Sequence, residues 1–118
     1  MPRILLVDDE TDILEALEFE LSRHSYDVTI ASSGLAAVAF ARQRPFDLVM
    51  TDLRMPGMSG AETITALRAI DPAVPIVVVT GYASDETAAD CMQRGAAHFI
   101  RKPVDLDVFL SLVKTILA

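Results

Sequence analysis

Short apolar segments alternate along the chain with longer segments in which apolar residues recur at helical spacing. Four of the short segments, residues 4–7, 48–50, 76–79 and 97–100, are apolar on both faces, as buried parallel strands are. A fifth, residues 27–31, alternates polar and apolar side chains. We therefore predict five strands, with the fifth of these segments at an edge of the sheet.

The intervening segments, residues 12–23, 35–43, 61–70, 84–93 and 105–117, are predicted to be helices. In the first, Asp12 and Glu15 have the spacing of a capping box. The fourth has an apolar side made mostly of Ala88, Ala89 and Met92, so we expect it to be loosely held.

The last predicted helix carries two apolar rows along its length. One row contains Leu106, Leu110, Val113 and Leu117, and the other contains Phe109, Leu112 and Ile116. We expect one of these rows to meet a partner.

Five β-α units in succession predict a doubly wound α/β fold, with right-handed crossovers and helices covering a parallel sheet. The sequence shows no linker, low-complexity tract or repeat beyond the β-α period, so residues 1–118 are expected to form one domain.

Composition narrows the function classes. The net charge of −7 disfavours contact with nucleic acid or an anionic membrane, and the longest apolar runs stop at seven residues, too short to cross a bilayer. No signal peptide is visible, so we predict a cytoplasmic protein. The single cysteine, Cys91, is interpreted as a packing thiol.

Polar residues follow four of the predicted strands: Asp8 and Asp9, Asp52, Thr80, and Lys102. Each has an ordinary structural explanation, such as a helix cap or a solvated charge. Ligands of open α/β sheets bind at the carboxyl ends of the strands, however, where all five would meet. Three carboxylates there would repel each other by about 4 kcal/mol per pair at about 4 Å and an effective dielectric of about 20, so a cation is required.

A carboxylate cluster without histidine or cysteine suits Mg²⁺, and Mg²⁺ with an ammonium and a hydroxyl group suits phosphoryl transfer. Asp52 is the best candidate nucleophile because it follows a central strand. Pro56 and Gly57 after it predict a type II turn that aims the backbone near Arg54 at the site.

Over essentially its whole length the sequence resembles the response-regulator receiver domain of two-component signal transduction, in the CheY-like superfamily. The resemblance rests on four motifs that occur in order: Leu6-Val7-Asp8-Asp9-Glu10, Thr51-Asp52-Leu53-Arg54-Met55-Pro56-Gly57-Met58-Ser59-Gly60, Val79-Thr80-Gly81-Tyr82 and Lys102-Pro103. It implies a flavodoxin-like sheet of strand order 2-1-3-4-5.

By this resemblance, Asp52 would be the phosphorylated aspartate. Mg²⁺ would be bound by Asp9, Asp52 and the backbone carbonyl of Arg54, with Asp8 acting through water or hydrogen bonds. Thr80 and Lys102 would each contact a phosphoryl oxygen.

The resemblance also implies a cis peptide bond before Pro103 and a switch in which Phe99 turns inward. Permanent packing of Phe99 in the core is an equal alternative. Arg54 and Tyr82 occupy positions that tune the lifetime of the phosphoryl group.

The implied phosphoryl donor is a phosphohistidine of a sensor histidine kinase or a histidine phosphotransfer protein. A homodimer through helix 4, strand 5 and helix 5 is a further expectation. The chain could be a stand-alone regulator, part of a regulator with an effector domain, or the receiver of a hybrid kinase.

The sequence predicts a signalling switch that catalyses only its own phosphorylation and dephosphorylation, and two other classes are alternatives to it. A phosphatase of the haloacid dehalogenase type would carry a second aspartate where this chain has Arg54. A receiver-like module that never takes phosphate would be expected to lack an acid, the threonine or the lysine, and all are present.

Overall fold

The computed structural model of the chain describes residues 1–81 and 84–118, and within them strands and helices alternate. The strands are β1 (Arg3–Val7), β2 (Asp27–Ala31), β3 (Leu48–Thr51), β4 (Ile76–Thr80) and β5 (His98–Arg101). The helices are α1 (Thr11–Arg23), α2 (Gly34–Gln43), α3 (Gly60–Ile70), α4 (Asp85–Gln93) and α5 (Leu106–Ile116).

The strands form a parallel sheet of order β2-β1-β3-β4-β5, which confirms the predicted topology and the edge position of β2. The prediction for residues 97–100 needs correction. Strand β5 is shifted by one residue and has exposed ends at His98 and Arg101, because it forms the other edge of the sheet.

Successive residues of the central strands point to opposite faces of the sheet and build two separate cores. Leu5, Val49 and Val78 pack toward α2, α3 and α4, whereas Leu6 and Met50 pack toward α1 and α5. Both faces are therefore covered, as the apolar runs of these strands predicted.

The predicted capping box of α1 does not form. The helix begins at Thr11, and the residue at its N-cap position, Glu10, makes no side-chain capping hydrogen bond in the described structure. A capping box occurs instead at α3, where Ser59 Oγ accepts from Glu62 N at 3.1 Å and Ser59 N donates to Glu62 Oε1 at 3.2 Å. The sequence carries the Ser-x-x-Glu signal for this box at Ser59 and Glu62, although no capping box was predicted there.

In helix α4, the residue buried in the core is not one of those predicted to form its apolar side. Among its described residues only Cys91 is fully buried, while Ala89 and Met92 are exposed. This confirms Cys91 as a packing thiol, and burial raises the pKa of the thiol. A single buried residue also agrees with the weak packing predicted for this helix.

Helix α5 does not divide into two separate apolar faces. Its buried residues, Phe109 and Val113, are one turn apart and belong to different predicted rows. Leu106 and Val108 are exposed. No helix in the described part of the chain is long and apolar enough to span a bilayer.

Candidate functional site

The hydrogen-bond ladder of the sheet continues one residue beyond several strands and fixes the polar residues that follow them. Asp8 N donates to Ala31 O at 3.1 Å, Asp52 N donates to Val7 O at 2.9 Å, and Lys102 N donates to Thr80 O at 2.9 Å. The backbones of Asp8, Asp52 and Lys102 therefore belong to the sheet, and their side chains meet at its carboxyl edge, as the sequence predicted.

The ammonium group of Lys102 lies among three carboxylates. Its Nζ is 2.9 Å from Asp8 Oδ2, 2.9 Å from Glu10 Oε1 and 3.1 Å from Asp52 Oδ2. Asp8 is fully buried and Asp52 is 4% exposed, whereas the Glu10 side chain is 57% exposed. Two of the three acids are thus held away from water.

This arrangement leaves two negative charges in excess, since one ammonium faces three carboxylates. Burial raises the pKa of Asp8 and the charge of Asp52 adds to the rise, although Lys102 and the Glu10 backbone N–H oppose it. For Lys102, burial by itself lowers the pKa, but Asp8, Glu10 and Asp52 together hold it above its usual range.

The contact between Lys102 and Asp8 is an ion pair without hydrogen-bond alignment. Asp8 Oδ2 is 2.9 Å from the ammonium nitrogen, yet this buried oxygen accepts no well-directed hydrogen bond from the described residues. The ammonium charge compensates this buried oxygen, and a further cation or hydrogen-bond donor would stabilise it more.

The donor set fits a hard divalent cation. One carboxylate oxygen each from Asp8, Glu10 and Asp52 lie within 4.8 Å of one another, and oxygen ligands of this kind suit Mg²⁺. Asp9, predicted to be a ligand, is exposed and lines the adjoining cleft, so its role stays a prediction. Glu10 was not predicted to be a site residue. The signal in the sequence that could have identified it is its place as the third acid of the run after β1.

The loop after Asp52 is held close to that residue. Asp52 Oδ1 accepts from Leu53 N at 2.7 Å, and Gly60 N donates to Leu53 O at 2.9 Å. A side chain at Gly60 would overlap the Asp52 carbonyl oxygen, so glycine lets α3 begin against the backbone of the site. Gly57 has a φ of 78°, the value that the third position of the predicted type II turn requires.

A cleft of about 270 Å³ lies at this edge, and two of the remaining predicted residues belong to it. Arg54 and Thr80 line the cleft, and Thr80 is buried. The Lys102–Pro103 peptide bond is cis, as the resemblance implied. Phe99 is partly buried and packs against the core on the α3 and α4 face. Tyr82 lies outside the described residues.

A larger cavity, of about 350 Å³, lies at the opposite end of the sheet and is lined by Phe46 and Val74. The buried acids and Lys102 are absent from its lining in the described structure. Converging charges, and not volume, mark the functional site, because a buried carboxylate with a raised pKa, here Asp8, marks a candidate site for chemistry.

This fold and site define a doubly wound α/β protein with an acid and lysine cleft at the carboxyl ends of its central strands. The profile of the response regulator receiver domain matches residues 4–114, and the chain belongs to that family. It is therefore a receiver domain of two-component signalling.

Individual relatives agree with this assignment. The chain is 37% identical over 115 residues to the transcriptional regulatory protein ZraR of Escherichia coli O157:H7, and 38% identical over 115 residues to the response regulator protein PilR of Pseudomonas aeruginosa. Each match covers 98% of this chain and 26% of the relative, so the chain spans about a quarter of their length.

A crystal structure of a CheY-like receiver domain protein from Methanospirillum hungatei JF-1 superposes with a TM-score of 0.96 at 33% identity, covering 99% of this chain and 94% of that one. The chemotaxis protein CheY4 of Vibrio cholerae superposes with a TM-score of 0.92 at 29% identity, covering 98% of each chain. These likenesses agree with the sheet order and the five-helix arrangement described above.

Proposed function

We propose that Asp52 accepts a phosphoryl group from a phosphohistidine on a sensor histidine kinase or a histidine phosphotransfer protein. The observation that carries the proposal is the convergence of Lys102 Nζ and the buried Asp8 on the Asp52 carboxylate. A nucleophilic carboxylate beside a fixed ammonium group suits the transfer of a group that carries negative charge on its oxygens.

We assign Mg²⁺ as the cofactor, held by Asp9, Asp52 and the Arg54 backbone carbonyl, with Asp8 assisting. The uncompensated charge of the acid cluster and the poorly satisfied Asp8 Oδ2 support this assignment. When bound, Mg²⁺ offsets the negative charge that gathers on the phosphoryl oxygens during transfer.

In the transfer itself, one carboxylate oxygen of Asp52 forms a bond to phosphorus. The bond between phosphorus and the donor imidazole nitrogen breaks, and its electron pair stays on that nitrogen. Lys102 faces the phosphoryl oxygens with its positive charge, and the Thr80 hydroxyl group is assigned to another of these oxygens. The ladder bonds of Asp52 and Lys102 keep both groups in position without rearrangement of the backbone.

Phosphorylation is proposed to act as a switch and not as turnover of a substrate. Thr80 moves toward the phosphoryl group, Phe99 fills the space behind it, and the surface of α4, β5 and α5 changes. That surface is also the proposed homodimer contact. Arg54 and Tyr82 are proposed to tune how long the phosphoryl group survives.

We propose that residues 1–118 form one receiver domain and that the output belongs to another part of the same protein or to a partner. The relatives named above include a transcriptional regulatory protein, of which this chain covers about a quarter. Contact with a histidine kinase would place the domain in the cytoplasm, and no direct contact with nucleic acid is proposed for this acidic chain.

The test is incubation with Mg²⁺ and acetyl phosphate, followed by intact-protein mass spectrometry and hydroxylamine treatment. We expect one added phosphoryl group with the lability of an acyl phosphate. Asp52→Asn should abolish its uptake, whereas the control Asp107→Asn, which changes an exposed aspartate of α5, should not.

Undiminished uptake by Asp52→Asn would refute Asp52 as the acceptor. Sustained turnover of a small phosphoester would instead favour a phosphatase.

A further inference from the structure

Glu10 occupies a helix N-cap position but does not use its side chain as a cap. Its backbone lies at the start of α1, and its N–H donates to Asp8 Oδ1 at 2.9 Å. The side chain turns instead toward a residue 92 positions away, where Oε1 accepts a hydrogen bond from Lys102 Nζ at 2.9 Å. A residue placed to cap a helix thus contributes its carboxylate to the proposed phosphorylation site.

The described partners of Lys102 differ in how easily they can leave it. Asp8 is fully buried, and the Asp52 side chain is only 6% exposed, so neither can move its charge into water. The Glu10 side chain is 57% exposed and can rotate outward, where water hydrates its carboxylate. Exposed ion pairs of this kind are weak.

An ammonium group has three N–H donors, and three carboxylates lie within 3.1 Å of Lys102 Nζ. A phosphoryl oxygen on Asp52 needs one of these donors. The phosphoryl oxygen therefore competes with the carboxylates around Lys102, and Glu10 is the hydrogen-bonded partner that burial does not hold.

We propose that Glu10 is a positioning residue that holds Lys102 before phosphorylation and releases it to the phosphoryl oxygen afterwards. This inference rests on the proposed function, because the competitor for Lys102 is a phosphoryl group on Asp52. While bound, the Glu10 carboxylate places a negative charge where anionic oxygens arrive. Glu10 therefore slows phosphorylation of Asp52.

The experiment compares Glu10→Gln, Glu10→Asp and a control, Glu15→Gln, with the unmodified chain. Glu15 is an exposed acid of the same helix, so its substitution changes the net charge equally without touching Lys102. Glu10→Asp keeps the charge, but its shorter side chain withdraws the carboxylate from Lys102. The three variants thus separate the effect of the contact between Glu10 and Lys102 from the effect of the net charge.

The first measurement is the rate constant of phosphorylation by acetyl phosphate at saturating Mg²⁺. We expect Glu10→Gln and Glu10→Asp to raise it roughly two- to fivefold, the scale of an exposed ion pair. The control should stay near the rate of the unmodified chain. A rate unchanged or lowered by Glu10→Gln, or raised by Glu10→Gln but not by Glu10→Asp, would overturn the proposal.

The second measurement is the NMR signal of the Lys102 ε-CH₂ group in the unphosphorylated protein. Both Glu10 variants should shift this signal and Glu15→Gln should leave it in place; an unshifted signal would overturn the contact. Failure of the unmodified chain to take up phosphate would refute the proposed function, and this NMR comparison would still decide whether Glu10 holds Lys102.

Discussion

Lys102 and Arg94 each join parts of the chain that are far apart in sequence, but they do so in different surroundings. Lys102 lies among carboxylates of which two are buried. Arg94 lies at the surface, where its Nε is 3.0 Å from Asp90 Oδ2 and its Nη1 donates to Thr65 Oγ1 at 2.9 Å. One cation compensates buried charge, and the other fastens α4 to α3.

A second arginine adds to the fastening of α4. Arg68, on α3, donates from Nη1 to Val74 O at 2.6 Å and from Nη2 to Gly95 O at 2.7 Å, in the turn that follows α4. Cys91 is the one fully buried residue among those described in α4, so these polar contacts add to the limited apolar packing that holds the helix.

This difference supports the switch proposed above, in which a chemical event at the site moves a distant surface. Charge in the cleft is poorly hydrated. Adding or removing one charge there changes the free energy of the folded state by several kcal/mol, which is the order of the interaction between two charges at about 4 Å and an effective dielectric of about 20. Exposed polar contacts are worth about 1 kcal/mol or less each, so α4 can shift at small cost.

The largest effect should come from removing the buried cation. Lys102→Met keeps the aliphatic stem but leaves Asp8 and Asp52 without a compensating charge, and should lower the free energy of unfolding by about 3–5 kcal/mol at neutral pH. Urea unfolding measures this loss, and Mg²⁺ should restore part of it. Lys114→Met, at an exposed lysine of α5, should change stability little.

The same interaction predicts a dependence on alkaline pH. The pKa of Lys102 is raised in the folded state, so its contribution is fully present below the ordinary value of 10.5 and is lost as the pH rises through the higher folded value. The difference between the unmodified chain and Lys102→Met should therefore shrink in that range. If Lys102→Met and Lys114→Met lowered the free energy of unfolding equally at neutral pH, the contrast between the buried cation and the exposed surface would be wrong.

Substitution of Asp8 should change the free energy of unfolding by an intermediate amount, and in the opposite direction to Lys102→Met. Asp8→Asn removes a buried charge while Asp52 and Glu10 still pair with Lys102, and should raise the free energy of unfolding by about 1–2 kcal/mol at neutral pH. Asp9→Asn, at the exposed neighbour, should raise it less.

The gain from Asp8→Asn should depend on acidic pH. Because the folded pKa of Asp8 lies above its ordinary value of 3.8, the gain should be absent below that value and grow as the pH rises through the folded pKa. Thermal unfolding between acidic and neutral pH checks this; a gain that is the same at every pH would contradict the assigned cause.

The smallest global effect is expected at α4. Arg94→Ala should lower the free energy of unfolding by about 1 kcal/mol or less, since the ion pair with Asp90 is partly exposed. Amide hydrogen exchange in α4 should nevertheless accelerate, because little apolar packing holds the helix. Arg42→Ala, at an exposed arginine of α2, is the control. If the α4 amides were unaffected by Arg94→Ala, Arg94 would not be one of the contacts that hold the helix.

Much of the fold and site could be predicted because both follow from local pattern. Apolar runs on both faces identified the central strands, and the carboxyl ends of parallel strands must share one edge of the sheet. That rule by itself brings Asp8, Asp52 and Lys102 together. The predictions failed where a choice depended on contacts across the chain, as for the capping of α1 and the inward residue of α4.

The sequence by itself determined the order of strands and helices, the acids and the lysine at one edge, and the turn after Asp52, since periodicity and backbone preference act over a few residues. Only the tertiary structure decided that Glu10 turns away from its helix to Lys102, that Ala89 and Met92 of α4 are exposed, and that β5 has exposed ends. These depend on which distant atoms come within a few ångströms, and no spacing along the chain encodes that distance.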